Sequence, residues 1–91
     1  MQVFSEKNKK QLLCVSLGKV LTKLRQEAGL SARAVSYSID ISKTTLLLAE
    51  AGKLDPQIST FYRLAEAYNM KPSQLLSMIE DELPDSWFLS D

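Results

Sequence analysis

Histidine is absent from these 91 residues and cysteine occurs once. That leaves no Cys/His spacing for a zinc site. The lone thiol, Cys14, has no internal partner for a disulfide. Beside Leu13 and Val15 in a helical pattern it reads as a small core or part-buried residue, not a redox group. Long apolar runs are missing as well: the longest are residues 12–15 and 46–49, so nothing can span a bilayer. Three glycines and three prolines, without repeats or low-complexity stretches, argue against disorder or a linker between domains. A hydrophobic content of 45% fills one modest core. Residues 1–10 lack an apolar segment followed by a small-residue cleavage site, so a cytoplasmic protein is expected.

Catalytic groupings are missing too. There is no glycine-rich phosphate loop, and no serine or lysine sits in a nucleophile arrangement. Glu80, Asp81 and Glu82 are consecutive on a terminal helix, so they point in different directions and read as a solvated end. The chain is not expected to be an enzyme, and no cofactor or metal is expected.

Charge of one sign is absent from the last 20 residues: they hold five acids and no base. Residues 1–71 hold all 11 Lys and Arg against six acids, a surplus of +5 that the tail cancels to a net charge of zero. A weakly basic body with an acidic tail suits a nucleic-acid binder, although composition alone favours an ordinary solvated surface.

What is present is helical. Leu13, Leu17, Val20, Leu21, Leu24 and Ala28 form an amphipathic stripe that Gly29 stops, with Leu30 placed to fold back on the cap. Ser5 could start this helix early, or residues 1–12 could be a basic arm carrying Lys7, Lys9 and Lys10. Ser31 caps a two-turn helix with Ala34, Val35 and Ile39 as its apolar positions. Asp40 interrupts the pattern and Ile41 returns to the core. Ser42 caps a second short helix that Gly52 closes in left-handed geometry. Two helices so short and so tightly joined make a helix-turn-helix, able to lay its second helix in the DNA major groove. Asp55-Pro56 forms a loop. Ile58, Phe61, Leu64, Ala65 and Tyr68 mark a fourth helix ending at Asn69. Pro72 opens a fifth with Leu75, Leu76 and Ile79 inward, bounded by Pro84. Five helices and no strand signal give an all-α fold.

The segments LGKVLTKLRQEAGLS, IDISKTTL, AEAGK and LAEAYNMKPSQLL, with the Pro56 loop between them, resemble the Cro/repressor-type (XRE) helix-turn-helix family with its lambda-repressor-like fold. The likeness spans residues 17–76, 60 of the 91. It implies a five-helix domain at residues 13–80 that binds operator DNA, commonly as a symmetric homodimer, to regulate transcription. It also implies a structural ion pair, Arg25 with Glu50, which fixes the recognition helix against the first helix. The alternative for Arg25 is a phosphate contact that would leave Glu50 without its partner.

The resemblance places Lys43, Thr44, Thr45, Leu47 and Leu48 toward the groove, and Leu46 and Ala49 inward. Arg33 and Lys53 would add phosphate contacts, with the Lys7 to Lys10 cluster as an extra arm. Two departures stand out. Ala32 replaces the common glutamine that bonds a phosphate, and Leu47 and Leu48 replace polar readers. Leucine can only pack on a thymine methyl or another apolar surface. Two readings follow. Either the chain binds double-stranded DNA with few base contacts, or Tyr37, Leu47, Leu48 and Leu54 form an apolar patch for a protein partner.

Residues 81–91 form an acidic, aromatic tail. Either Trp87 and Phe88 fold back onto their own domain, or Met78, Ile79, Leu83, Trp87 and Phe88 form a homodimer seam. The second arrangement would set two recognition helices about 34 Å apart, one DNA turn.

Overall fold

Serine side chains start each of the first three helices of the computed structural model, which describes residues 5–88. Ser5 Oγ accepts the Asn8 N–H at 3.2 Å, opening α1 (Glu6–Ala28). Ser31 Oγ accepts the Ala34 N–H at 3.0 Å, opening α2 (Ala32–Ser38). Ser42 Oγ accepts the Thr45 N–H at 3.0 Å, opening α3 (Lys43–Glu50). Each bond satisfies a backbone donor that the helix itself leaves open. α4 (Ile58–Glu66) and α5 (Pro72–Glu82) follow, then a single 3-10 turn over Asp85–Phe88. Residues 5–12 thus take the helix-extension alternative. The first four residues of the expected arm and the last three of the tail lie outside the described residues.

Left-handed residues close the first four helices. Gly29, Asp40, Gly52 and Asn69 have φ of 68°, 55°, 75° and 55°. Asp40 holds the four-residue turn between α2 and α3, where the Ile41 N–H reaches back to the Ser36 carbonyl at 3.1 Å. Short polar side chains tolerate this conformation better than other non-glycine residues.

α1, α3, α4 and α5 close around Leu21, Leu46, Leu64 and Leu75, none of which is exposed to solvent. Each such side chain contributes about 1.5–3 kcal/mol by leaving water. Val35 and Ile39 attach α2 to the same core, and Leu46 and Ala49 attach α3.

Several apolar residues lie elsewhere than their spacing suggests. Leu76 is 47% exposed, because α5 turns Leu75 and Ile79 inward and leaves Leu76 on the flank. Ile58, at the first position of α4, stands in solvent. Leu30 stays exposed beside its cap, and Leu54 is half-buried against the core instead of joining a surface patch.

Two residues of the expected homodimer seam need correction. Ile79 and Leu83 are buried in the chain's own core and have no surface to offer a second subunit. Trp87 folds back: its indole N–H donates to the Lys9 carbonyl at 3.0 Å, and Lys9 Nζ lies 5.3 Å from the ring centroid. Phe88 stacks edge-on against Trp87 at 5.2 Å and remains half exposed. Met78 is half-buried against the core.

α1 approaches α3 closely at Gly18. A Cβ there would stand 2.5 Å from the Glu50 carbonyl oxygen and 2.9 Å from that of Ala49. Only a glycine lets α1 come this close to the end of α3. Gly18→Ala would gain about 0.5–1 kcal/mol of helix preference. The backbone oxygens cannot move aside cheaply, and overpacking costs about 1–3 kcal/mol. A net loss of stability is expected, seen as a lower thermal midpoint by circular dichroism; an unchanged or higher midpoint would refute the close contact.

Candidate nucleic-acid interface

Arg25, in the last turn of α1, sets the position of α3. Its Nε and Nη2 donate to the two carboxylate oxygens of Glu50 at 2.6 and 2.9 Å, a bidentate bridge. Its Nη1 donates to the Leu30 carbonyl at 3.1 Å in the α1–α2 loop. The side chains are 21% and 7% exposed, so water screens the pair only in part. The hydrogen bond to Glu50 is the main cause that raises the Arg25 pKa above its usual value, and the Glu50 charge adds to it. Glu50 lies at the C-terminal end of α3, where the helix dipole disfavours an anion, and Arg25 offsets that cost. The guanidinium is therefore committed to the Glu50 carboxylate and the Leu30 carbonyl, not to a phosphate.

With α3 fixed, its outer stripe is defined. Lys43, Thr44, Leu47, Leu48 and Ala51 are exposed, while Leu46 and Ala49 are buried. Leu47 and Leu48 are 43% and 40% exposed. Lys53 is exposed just past the Gly52 turn, whose Lys53 N–H returns to the Leu48 carbonyl at 3.0 Å. Arg33 and Tyr37 lie one turn apart on α2, and both share a depression with Lys43 and Asp40 at the start of α3. Thr45 differs from its neighbours: it is half-buried, and Ser42 Oγ donates to its Oγ1 at 2.8 Å. Its hydroxyl belongs first to the helix cap.

Residues 16–77 match a family model described as a helix-turn-helix domain. Over 68 residues the chain is 34% identical to the HTH-type transcriptional regulator PuuR of Escherichia coli (strain K12). The PuuR of Shigella flexneri matches equally, 34% over 68 residues. These alignments cover 75% of this chain and 36% of the relative, so the chain spans about a third of the length of the curated relatives it matches. No solved structure matches it.

The chain belongs to the Cro/repressor-type helix-turn-helix family. Within that family's frame, the structure brings Lys43, Thr44, Leu47 and Leu48 onto one outward face, with Arg33 and Lys53 exposed nearby. Among the described residues no group of His, Cys, Asp and Glu is placed to hold a metal ion. No described helix is long and apolar enough to cross a membrane.

Three features escaped sequence reasoning. Gly18 carried a visible signal, a glycine in mid-helix where most residues would favour the helix more. Arg63 Nη1 donates to the Asp40 carbonyl at 3.3 Å and ties α4 to the turn. Tyr68 Oη is buried and makes no hydrogen bond among the described residues. Burial is the main cause that raises the Tyr68 pKa above its ordinary value, and the Glu50 charge adds to it.

Two outcomes follow from these contacts. Arg25→Lys cannot form the bidentate fork and is expected to lower stability by about 2 kcal/mol, measured by urea unfolding. Tyr68→Phe removes an unsatisfied hydroxyl and is expected to raise stability by about 1 kcal/mol at neutral pH. Its folded pKa lies above the unfolded value of about 10, so the wild type loses stability as pH rises past 10. Thermal midpoints of the two proteins should therefore diverge further above that pH, and parallel curves would refute the burial.

Proposed function

We propose that this chain is the DNA-binding part of a transcriptional regulator, with α3 as the helix that enters the major groove. The observation that carries the reading is the Arg25–Glu50 bridge, which fixes α3 so that one stripe faces out while its other side is sealed in the core. A rigid helix with a free face is what groove reading requires. Lys43 and Thr44 supply hydrogen-bonding groups for bases, and Leu47 and Leu48 suit thymine methyls. Arg33, Lys43, Thr45 and Lys53 supply phosphate contacts, which provide most of the salt-dependent affinity. The name of the PuuR relatives supports the regulatory role. A homodimer belongs to the same reading, since paired copies would read an inverted repeat.

A second reading has one observation in its favour. Tyr37 is 90% exposed beside Lys43, and Leu47 and Leu48 are exposed on α3, apolar surface suited to a protein partner.

Selection from a random duplex pool separates the two. Enrichment of an inverted repeat is expected, together with steeply salt-dependent binding. Lys43→Ala should weaken operator binding about tenfold and lower the salt slope by about one. Absence of any duplex binding at low salt by the folded chain would refute the DNA reading and favour the protein-binding one.

A further inference from the structure

The outer face of α1 carries a cationic strip that none of the foregoing assignments uses. Lys19 and Lys23 lie one turn apart and line a shallow depression with Thr22, Gln26, Glu50 and Ala51. Both lysines are exposed, and among the described residues neither has a carboxylate within ion-pair distance. Like charges at this spacing repel each other mildly and bring the fold no benefit. Glu50 is the depression's one acid, and Arg25 already engages both its oxygens. Glu27 is exposed one turn beyond Lys23 and does not line the depression. The local field is therefore positive, with the Thr22 hydroxyl and the Gln26 amide as neutral donors.

Position gives the strip its meaning. Ala51 is the last residue of the outward stripe of α3, so the depression begins where that stripe ends. At the other end of α3, Arg33 and Lys43 border the depression shared with Tyr37 and Asp40. α3 has eight residues, about 12 Å of helix, and the major groove is about 12 Å wide between its phosphate walls. Cationic groups thus stand near both ends of α3, within reach of phosphates that border a groove entered by that helix.

We propose that Lys19 and Lys23 bind backbone phosphates of duplex DNA beside the C-terminal end of α3, opposite the wall held by Arg33 and Lys43. This rests on the DNA reading above and extends it to residues outside the helix-turn-helix. Because the contact is to phosphate, it adds affinity without sequence preference.

The test measures binding of the full chain to a short random-sequence duplex across a salt series. The Lys19→Ala/Lys23→Ala double variant is expected to lower the slope of log affinity against log salt by about two and to weaken low-salt binding about tenfold or more. Its thermal midpoint should not fall, since both side chains are exposed. Lys71→Ala, which borders neither depression, is the control and should keep the wild-type slope. The proposal fails if the double variant keeps the wild-type slope while Arg33→Ala lowers it. It fails equally if Lys71→Ala reduces the slope as much per charge, because the effect would then be one of overall charge. If the wild type binds no duplex at all, the DNA reading itself falls and takes this proposal with it.

Discussion

Everything on the outer face of this molecule depends on how α1 meets α3. Gly18 lets the two backbones approach until the Ala49 and Glu50 carbonyls occupy the space a side chain would need. Arg25, two turns along α1, then grips Glu50 with two bonds and the α1–α2 loop with a third. One contact sets the separation of the helices and the other their rotation. An eight-residue helix is too short to hold itself in water. Buried Leu46 and Ala49 give α3 its stability, and the glycine and the arginine give it an orientation.

That orientation links packing to recognition. Sealing Leu46 and Ala49 inward forces Leu47 and Leu48 outward, and their exposure is a consequence of helical period, not of a loose core. The same geometry places cations near both ends of α3: Arg33 and Lys43 at its start, Lys19, Lys23 and Lys53 near its end. Apolar readers flanked by cations suit a binder that takes much of its affinity from phosphates and little of its discrimination from hydrogen bonds.

The C-terminal segment makes a different use of its apolar residues. Leu83 completes the core, and Trp87 closes over the N-terminal part of α1 through its bond to Lys9. The extended α1 thereby gains cover from a segment nearly eighty residues away in sequence. The large apolar side chains left open on α4 and α5 are Ile58, Tyr62 and Leu76.

Local chemistry was readable from the chain alone. Ser31 and Ser42 announce helix starts because a hydroxyl before an apolar-periodic run has a free N–H to accept, whereas Ser5 was one of two starts the pattern left open for the first helix. Gly29, Gly52 and Asn69 announce stops because the left-handed conformation is cheap for them. Spacing identified Leu21, Leu64 and Leu75 as apolar-face residues because a helix repeats every 3.6 residues, and the family resemblance placed Leu46 inward. The pairing of Arg25 with Glu50 came through family resemblance, since 25 residues of sequence separate the two and no periodicity connects them. Only the tertiary structure decided which of two adjacent apolar residues faces inward at Leu75 and Leu76, and that Leu83 is buried and Trp87 half-buried within the same chain. It alone decided that Gly18 is a contact and that Tyr68 hides its hydroxyl. Those outcomes depend on which surface another element covers, a property of the assembled helices that no single segment contains.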